Sequence, residues 1–231
     1  MSDNIYKIDS IFPIPLYSTV LPSKLSKYTN ILKEIGVTDY PNDLKEQNVA
    51  KDFGYRSLNT YILHNPQLTP LASWIMSHFQ HYAENILDMN IGKLGFSQSW
   101  ISRKSQNQQH ILHHHPNSVI SGVFYFNKDS NITPLQIERP VYQKYHPHFH
   151  FESKNQNSNQ FSTEFVDYCP QPLELVIFPS WLRHGVRAND NSNVRDSLAI
   201  NSFPANSVLG NEDSLTELDF SKLYIPPPPQ N

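Results

Sequence analysis

Cysteine is nearly missing from this sequence: Cys169 stands alone among 231 residues. A lone thiol excludes an internal disulfide, a cysteine-built metal centre and a dithiol redox pair, so any metal must be bound by His, Asp or Glu. Glycine is scarce as well, with seven residues against eighteen prolines. That balance describes a loop-rich globular chain, neither a helical bundle nor a disordered tail. No apolar run is long enough to cross a bilayer. The opening Met1-Ser2-Asp3-Asn4 lacks a basic region followed by an apolar stretch and a cleavage site, so no secretory signal is expected and the cytoplasm is the expected location. An excess of positive charge is also missing. The formal net charge is −3 with lysines and arginines scattered, so nucleic acid and membrane surfaces are not expected partners.

What is present is enough apolar material for one sizeable core: 38% of residues are hydrophobic and 12% aromatic. A single domain over residues 1–231 is expected. Residues 1–93 would give a strand and helical support, 94–203 a β core with a loop insertion at 143–163, and 204–231 an extension ending in an exposed polyproline tail, YIPPPPQN. Residues 5–20 read as an edge strand interrupted by Pro13 and Pro15. A short helix is expected near 23–36. A longer one is expected over 68–88, where Leu71, Ala72, Ile75, Met76, Phe79, Ala83, Ile86 and Leu87 recur on one face. After Gly95 the period changes to short β-branched and aromatic segments: FSQSWISR, SVISGVFYFN, LQIERP, LELVIFPS and DSLAINSF. The fold class is therefore mainly β with N-terminal helices, with a double-stranded β-helix (jelly-roll, cupin-like) core.

Of eleven histidines, eight fall between His110 and His184, and imidazole is both a metal ligand and a proton carrier near neutrality. His113 and His115 are two apart, so on an extended segment both leave the same face and can meet one ion. His184 follows a distant strong strand, LELVIFPS. Two near ligands and one far ligand are how an open three-ligand site is assembled on a β-barrel, leaving positions for a cosubstrate and oxygen. Other readings stand beside this one. HHHP is also what a polar surface run looks like, and His146, His148 and His150 repeat the spacing as a rival site interrupted by Pro147. His114 should point away from its neighbours. His78 and His81 belong to the helix.

Arg195 lies eleven residues after His184, and Ser197 and Asn201 share its strand parity. An inward guanidinium in a barrel is expensive unless it meets an anion, and its fork fits a carboxylate. A dicarboxylate cosubstrate would satisfy both ends, one end on the metal and the far carboxylate on Arg195 and the Ser197 hydroxyl. Tyr125, in phase with Ser121 and Val123, could bond the same cosubstrate or be a core tyrosine. Trp100, Trp181 and His148 could line a substrate pocket, with the 143–163 loop as its lid; large aromatics there also serve as packing.

His-x-His-Pro-Asn-Ser followed by SGVFYF, then VIFPSWLRHGV, then Arg-x-Ser and an Asn-bearing strand, resembles the iron(II)- and 2-oxoglutarate-dependent oxygenases of marine phages and bacteria, distant relatives of prolyl hydroxylases. The resemblance covers about residues 94–203. It implies that His113, His115 and His184 bind Fe(II), that Arg195 binds the distal carboxylate of 2-oxoglutarate, and that O2 is used to hydroxylate an unactivated C–H bond. The substrate would be a peptide, amino acid or small metabolite, and a homodimer is compatible. One departure stands out: most of the superfamily has Asp or Glu where this chain has His115. Three neutral imidazoles leave the metal its full charge and admit zinc or nickel as competitors. Two other functions remain open on the residues alone: a three-histidine cupin-like dioxygenase without 2-oxoglutarate, which gives no reason for Arg195, and a non-catalytic β-barrel interaction module.

Overall fold

A computed structural model of the chain describes residues 8–38, 54–127, 132–140, 159–205 and 225–229. Six strands form one antiparallel sheet in the order β1-β8-β5-β10-β3-β2, and four form a second in the order β4-β9-β6-β7. The first sheet comprises β1 (Tyr17–Val20), β2 (Tyr55–Arg56), β3 (Leu94–Lys104), β5 (Ile120–Phe124), β8 (Glu174–Pro179) and β10 (Arg195–Pro204). The second comprises β4 (His110–His113), β6 (Leu135–Glu138), β7 (Phe165–Tyr168) and β9 (His184–Val186). From β3 to β6 and again from β7 to β10 successive strands alternate between the sheets, as the jelly-roll reading requires, with β6 and β7 paired as neighbours in the second sheet; the segments singled out after Gly95 become β3, β5, β6, β8 and β10.

The central strands of the six-stranded sheet are buried on both faces, which is why β5 and β8 read as continuous apolar runs. Ile120, Phe124, Leu175, Ile177, Leu198 and Ile200 pack outward against the helical layer, while Val123, Tyr125, Val176 and Phe178 pack into the space between the sheets with Leu135 and Leu182. The helical layer is α1 (Tyr28–Thr38) and α2 (Thr69–His81), the latter continued by a π turn over Tyr82–Ile86. Pro70 starts α2, where its missing N–H is harmless. Leu71, Ile75 and Phe79 form its fully buried face, each contributing about 1.5–3 kcal/mol by leaving water. Gln80 ties the end of α2 to β3, donating to Gly92 O at 2.6 Å and accepting from Leu94 N–H at 2.9 Å.

Three expectations need correction. The opening strand is short: in the described part of 5–20 only Tyr17–Val20 pairs, because Pro13 and Pro15 lack the N–H groups a longer ladder needs. The first helix starts at Tyr28, since Ser23–Leu25 makes a separate 3-10 turn. The polyproline tail is not wholly exposed, as Pro226 is buried between exposed neighbours. Of the 143–163 loop, residues 143–158, with His146, His148 and His150, lie outside the described residues. The loop's far end is held by Arg139, whose Nε donates to Thr163 O at 2.6 Å and Nη2 to Gln160 O at 2.7 Å.

Candidate active site

His113 ends β4 and His184 begins β9, and these two residues are direct partners in the antiparallel register. Pairing alone brings their rings together, with centroids 4.5 Å apart. His115 follows β4, pinned where its N–H donates to Ser180 O at 2.9 Å. Its ring stacks at 10° on that of His184, and the two Nε2 atoms are 3.2 Å apart. One nitrogen from each of His113, His115 and His184 lies within 4.8 Å of the others. His114 is exposed, as its parity requires.

The tautomers suit a metal. His113 Nδ1 donates to Ile111 O at 2.9 Å and His184 Nδ1 to Leu182 O at 2.8 Å, so the proton sits on Nδ1 and the Nε2 lone pair is left free in both. Electron-rich nitrogens this close are stabilised by a cation between them, and cis ligands of an ion at about 2.0–2.3 Å stand about 3 Å apart. Burial keeps the rings neutral. It lowers His184 well below the usual histidine value, His115 to about 4, and His113 in the same direction, with neighbouring histidines adding to the shift in His184 and His115. Neutral imidazole is the ligating form. The residues present therefore fit an iron ion.

Across the cavity from this cluster stands Arg195, 5% exposed. Its Nε donates to Thr133 O at 3.3 Å, Nη2 to Tyr125 OH at 3.3 Å and Nη1 to Ser197 Oγ at 3.4 Å, and its guanidinium lies over the Tyr125 ring. All three partners are neutral and all three bonds are long. Asp196 faces the opposite side of the sheet, where it takes Arg103 bidentately at 2.7 Å through each oxygen.

The cavity between the sheets is lined by the three histidines and, among others, Trp100, Ser102, Lys104, Arg195 and Ser197. The sequence-derived residues thus separate. Trp100 lines the cavity, with its ring 5.8 Å from that of His115 and the Arg56 guanidinium 5.9 Å from its centroid. Trp181 is half exposed and lies in a separate apolar groove with Phe12, Ile14 and Met89, which meets the cluster at His115. Tyr125 reaches the site only through Arg195. Asn201 is not among the lining residues; its Oδ1 accepts from Ser121 Oγ at 2.9 Å within a buried chain that runs through Ser180 to Ser118. His148 falls outside the described residues.

Two titratable lining residues were not assigned to the site from the sequence. The His110 ring lies tilted against that of His113, with centroids 4.2 Å apart, and burial pushes its imidazole down to about 3. Lys104 is 3% exposed, and burial and then Arg195 push its ammonium down to about 8. Both were findable only from strand register, which places Lys104 opposite Arg195 and His110 opposite Val186.

Residues 98–201 match the family described as "Putative 2OG-Fe(II) oxygenase". No curated protein matches the chain. Solved structures share the fold. A prolyl-4-hydroxylase from Pseudomonas putida is 13% identical, with 81% of this chain and 92% of that one covered at a TM-score of 0.52. A Trichoplax adhaerens prolyl hydroxylase in complex with a hypoxia inducible factor peptide fragment is 14% identical, with 83% of each chain covered and a TM-score of 0.55. The epimerase SnoN in complex with Fe3+, alpha ketoglutarate and nogalamycin RO is 10% identical, covering 92% of this chain and 91% of that one at 0.59.

Proposed function

We propose that this chain, whose residues 98–201 match a family of iron(II)- and 2-oxoglutarate-dependent oxygenases, is such an oxygenase, with His113, His115 and His184 holding the iron and Arg195 the distal carboxylate of 2-oxoglutarate. The carrying observation is the convergence on one cavity of three neutral imidazoles and a buried guanidinium that, among the described residues, has only neutral partners. When bound, iron with 2-oxoglutarate and O2 supplies the oxidation of a C–H bond, with succinate and CO2 as the coproducts.

The protein's own groups position and exclude. The Nδ1–H bonds to Ile111 and Leu182 fix two rings so that Nε2 faces the metal position. Arg195 draws the cosubstrate's far end toward β10, with Ser197 and Tyr125 holding the guanidinium's direction. Val123, Leu135 and Val186 close the cavity walls against water. Trp100 closes the side next to His115, and its ring gives a flat apolar surface against which a substrate can lie.

The same reading makes the substrate a small molecule or a peptide, because the fold relatives are recorded with nogalamycin RO in one case and with a peptide fragment in another. The apolar groove beside Trp181 opens at His115 and is the surface that would receive it. A cytoplasmic homodimer is compatible with this reading; among the described residues no helix is long and apolar enough to cross a membrane. A three-histidine cupin-like dioxygenase that does not use 2-oxoglutarate leaves the Arg195 charge without a role. The test is turnover of 2-oxoglutarate to succinate by protein loaded with iron under anaerobic conditions and then exposed to O2. Succinate formation that needs iron and is lost in Arg195→Met supports the assignment; iron-independent or absent turnover across a broad substrate panel, with no binding of 2-oxoglutarate, overturns it.

A further inference from the structure

The antiparallel register sets Lys104 of β3 directly opposite Arg195 of β10, and Ser102 opposite Ser197. Side chains at paired positions leave the same face, so both cations and both hydroxyls point into the cavity that the histidines line. This is an unfavourable arrangement for a protein alone. Like charges at a directly opposed cross-strand pair repel, and desolvation adds to the penalty because the residues are 3% and 5% exposed.

Lysine usually escapes such a position by extending its ammonium to water. Lys104 does not: it is buried as a whole, its stem is covered by Gly54, whose added Cβ would meet Lys104 Cδ at 2.9 Å, and its Nζ turns inward to Ser102 Oγ at 3.2 Å. Among the described residues no carboxylate forms an ion pair with Lys104 or with Arg195. The acid nearest in sequence, Asp196, is spent on Arg103 at the opposite face. Two adjacent buried cations and two adjacent hydroxyls, with no anion paired to either cation among the described residues, make a ready-made carboxylate cradle.

We propose that Lys104 is a second binding residue for the distal carboxylate of 2-oxoglutarate, gripping one side of it while Arg195 grips the other. The inference rests on the proposed function above and adds a residue that the histidine and arginine spacing does not reveal. It also accounts for the charge of the site: with His115 standing where an acid is usual, the described residues lining the cavity offer neutral imidazoles and two cations and no carboxylate, so the dicarboxylate is the group that supplies the negative charge.

The test compares two ligands on the full-length protein, loaded with iron and held anaerobic. One is 2-oxoglutarate. The other is 2-oxopentanoate, which has the same 2-oxo acid head and the same five carbons but ends in a methyl group. Equilibrium binding is followed by calorimetry, with iron content and near-ultraviolet circular dichroism as checks on the site and the fold. Lys104→Met should weaken 2-oxoglutarate by about tenfold or more and 2-oxopentanoate by less than about twofold, and Lys104→Gln, which keeps a donor without the charge, should fall between. If Lys104→Met does not fold, Lys104→Gln carries the comparison. Unchanged 2-oxoglutarate affinity in a folded variant overturns the proposal, as does an equal loss for both ligands, which would place Lys104 at the 2-oxo acid end. A wild-type protein that does not prefer 2-oxoglutarate to 2-oxopentanoate removes the Arg195 assignment and this inference together, whereas preference in the wild type with no effect at position 104 removes this inference alone.

Discussion

His184 is the most buried of the three clustered histidines, at 4% exposure, and it meets both of the others: register pairs it with His113, and its ring stacks on His115. Its removal should therefore disable metal binding while leaving most of the packing in place. His184→Ala is expected to lose most bound iron by elemental analysis with its far-ultraviolet circular dichroism unchanged; full iron occupancy would take His184 out of the ligand set. Arg195→Met should keep iron and weaken 2-oxoglutarate by about 2–5 kcal/mol, because it removes one partner of a desolvated ion pair. Titration calorimetry on the loaded protein measures this directly. These four residues were legible in the sequence for a simple reason. Spacing of two within an extended segment, and Arg-x-Ser on a strand, state which side chains share a face. Lys104 was not legible, since it falls one residue beyond the segment FSQSWISR that the pattern marks as a strand. Only the pairing of β3 with β10 shows the lysine to be inside. The same limit applied to Trp100 and Trp181, which look alike in sequence and are separated by the fold into a cavity wall and a half-exposed groove residue.

The elements most readable in advance were those with a strong period. The Leu71, Ile75 and Phe79 stripe marked α2, and the apolar runs marked β5 and β8, because a strand buried on both faces has no polar phase. Strand pairing was not readable, and pairing is what aligns the site. At β9 the approach of β4 is so close that a Cβ on Gly185 would sit 2.7 Å from the His110 carbonyl oxygen. A glycine between His184 and Val186 thus sets the spacing at which His113 faces His184. Gly185→Ala should push the two strands apart, lowering iron affinity about tenfold or more and destabilising the fold by about 1–3 kcal/mol. Iron titration together with thermal melting checks both halves, and a variant with wild-type affinity would show that the spacing is set elsewhere.

For the molecule as a whole, acid is the condition to which this arrangement is most exposed. His110, His115 and His184 are held neutral by burial, His110 down to about 3 and His115 to about 4, against an unfolded value near 6.5. Above that value neither state binds the extra protons. As pH falls below it the unfolded chain takes up protons that the folded chain refuses, so the native state loses stability progressively toward pH 4. The metal-free protein should melt at steadily lower temperature from pH 7 to pH 4, and His110→Gln should flatten that slope. A slope unchanged by the substitution would mean that carboxylates elsewhere govern the acid response.

The proposed iron ligands and the proposed carboxylate anchors do not belong to the same sheet. His113 and His184 sit on the four-stranded sheet, whereas Arg195, Ser197 and Lys104 sit on the six-stranded one. A 2-oxoglutarate molecule spanning from one set to the other would join the two layers like a brace across an open jaw. Its binding energy would then oppose every opening of the jelly roll at that end, so ligand-dependent slowing of amide hydrogen exchange should extend along β4, β9 and β10 together, well beyond the residues it touches. Succinate, left behind with a single carboxylate at each end and no 2-oxo group to chelate, would hold the jaw less firmly. Loosening of the two sheets would accompany product formation and let the cavity exchange its contents.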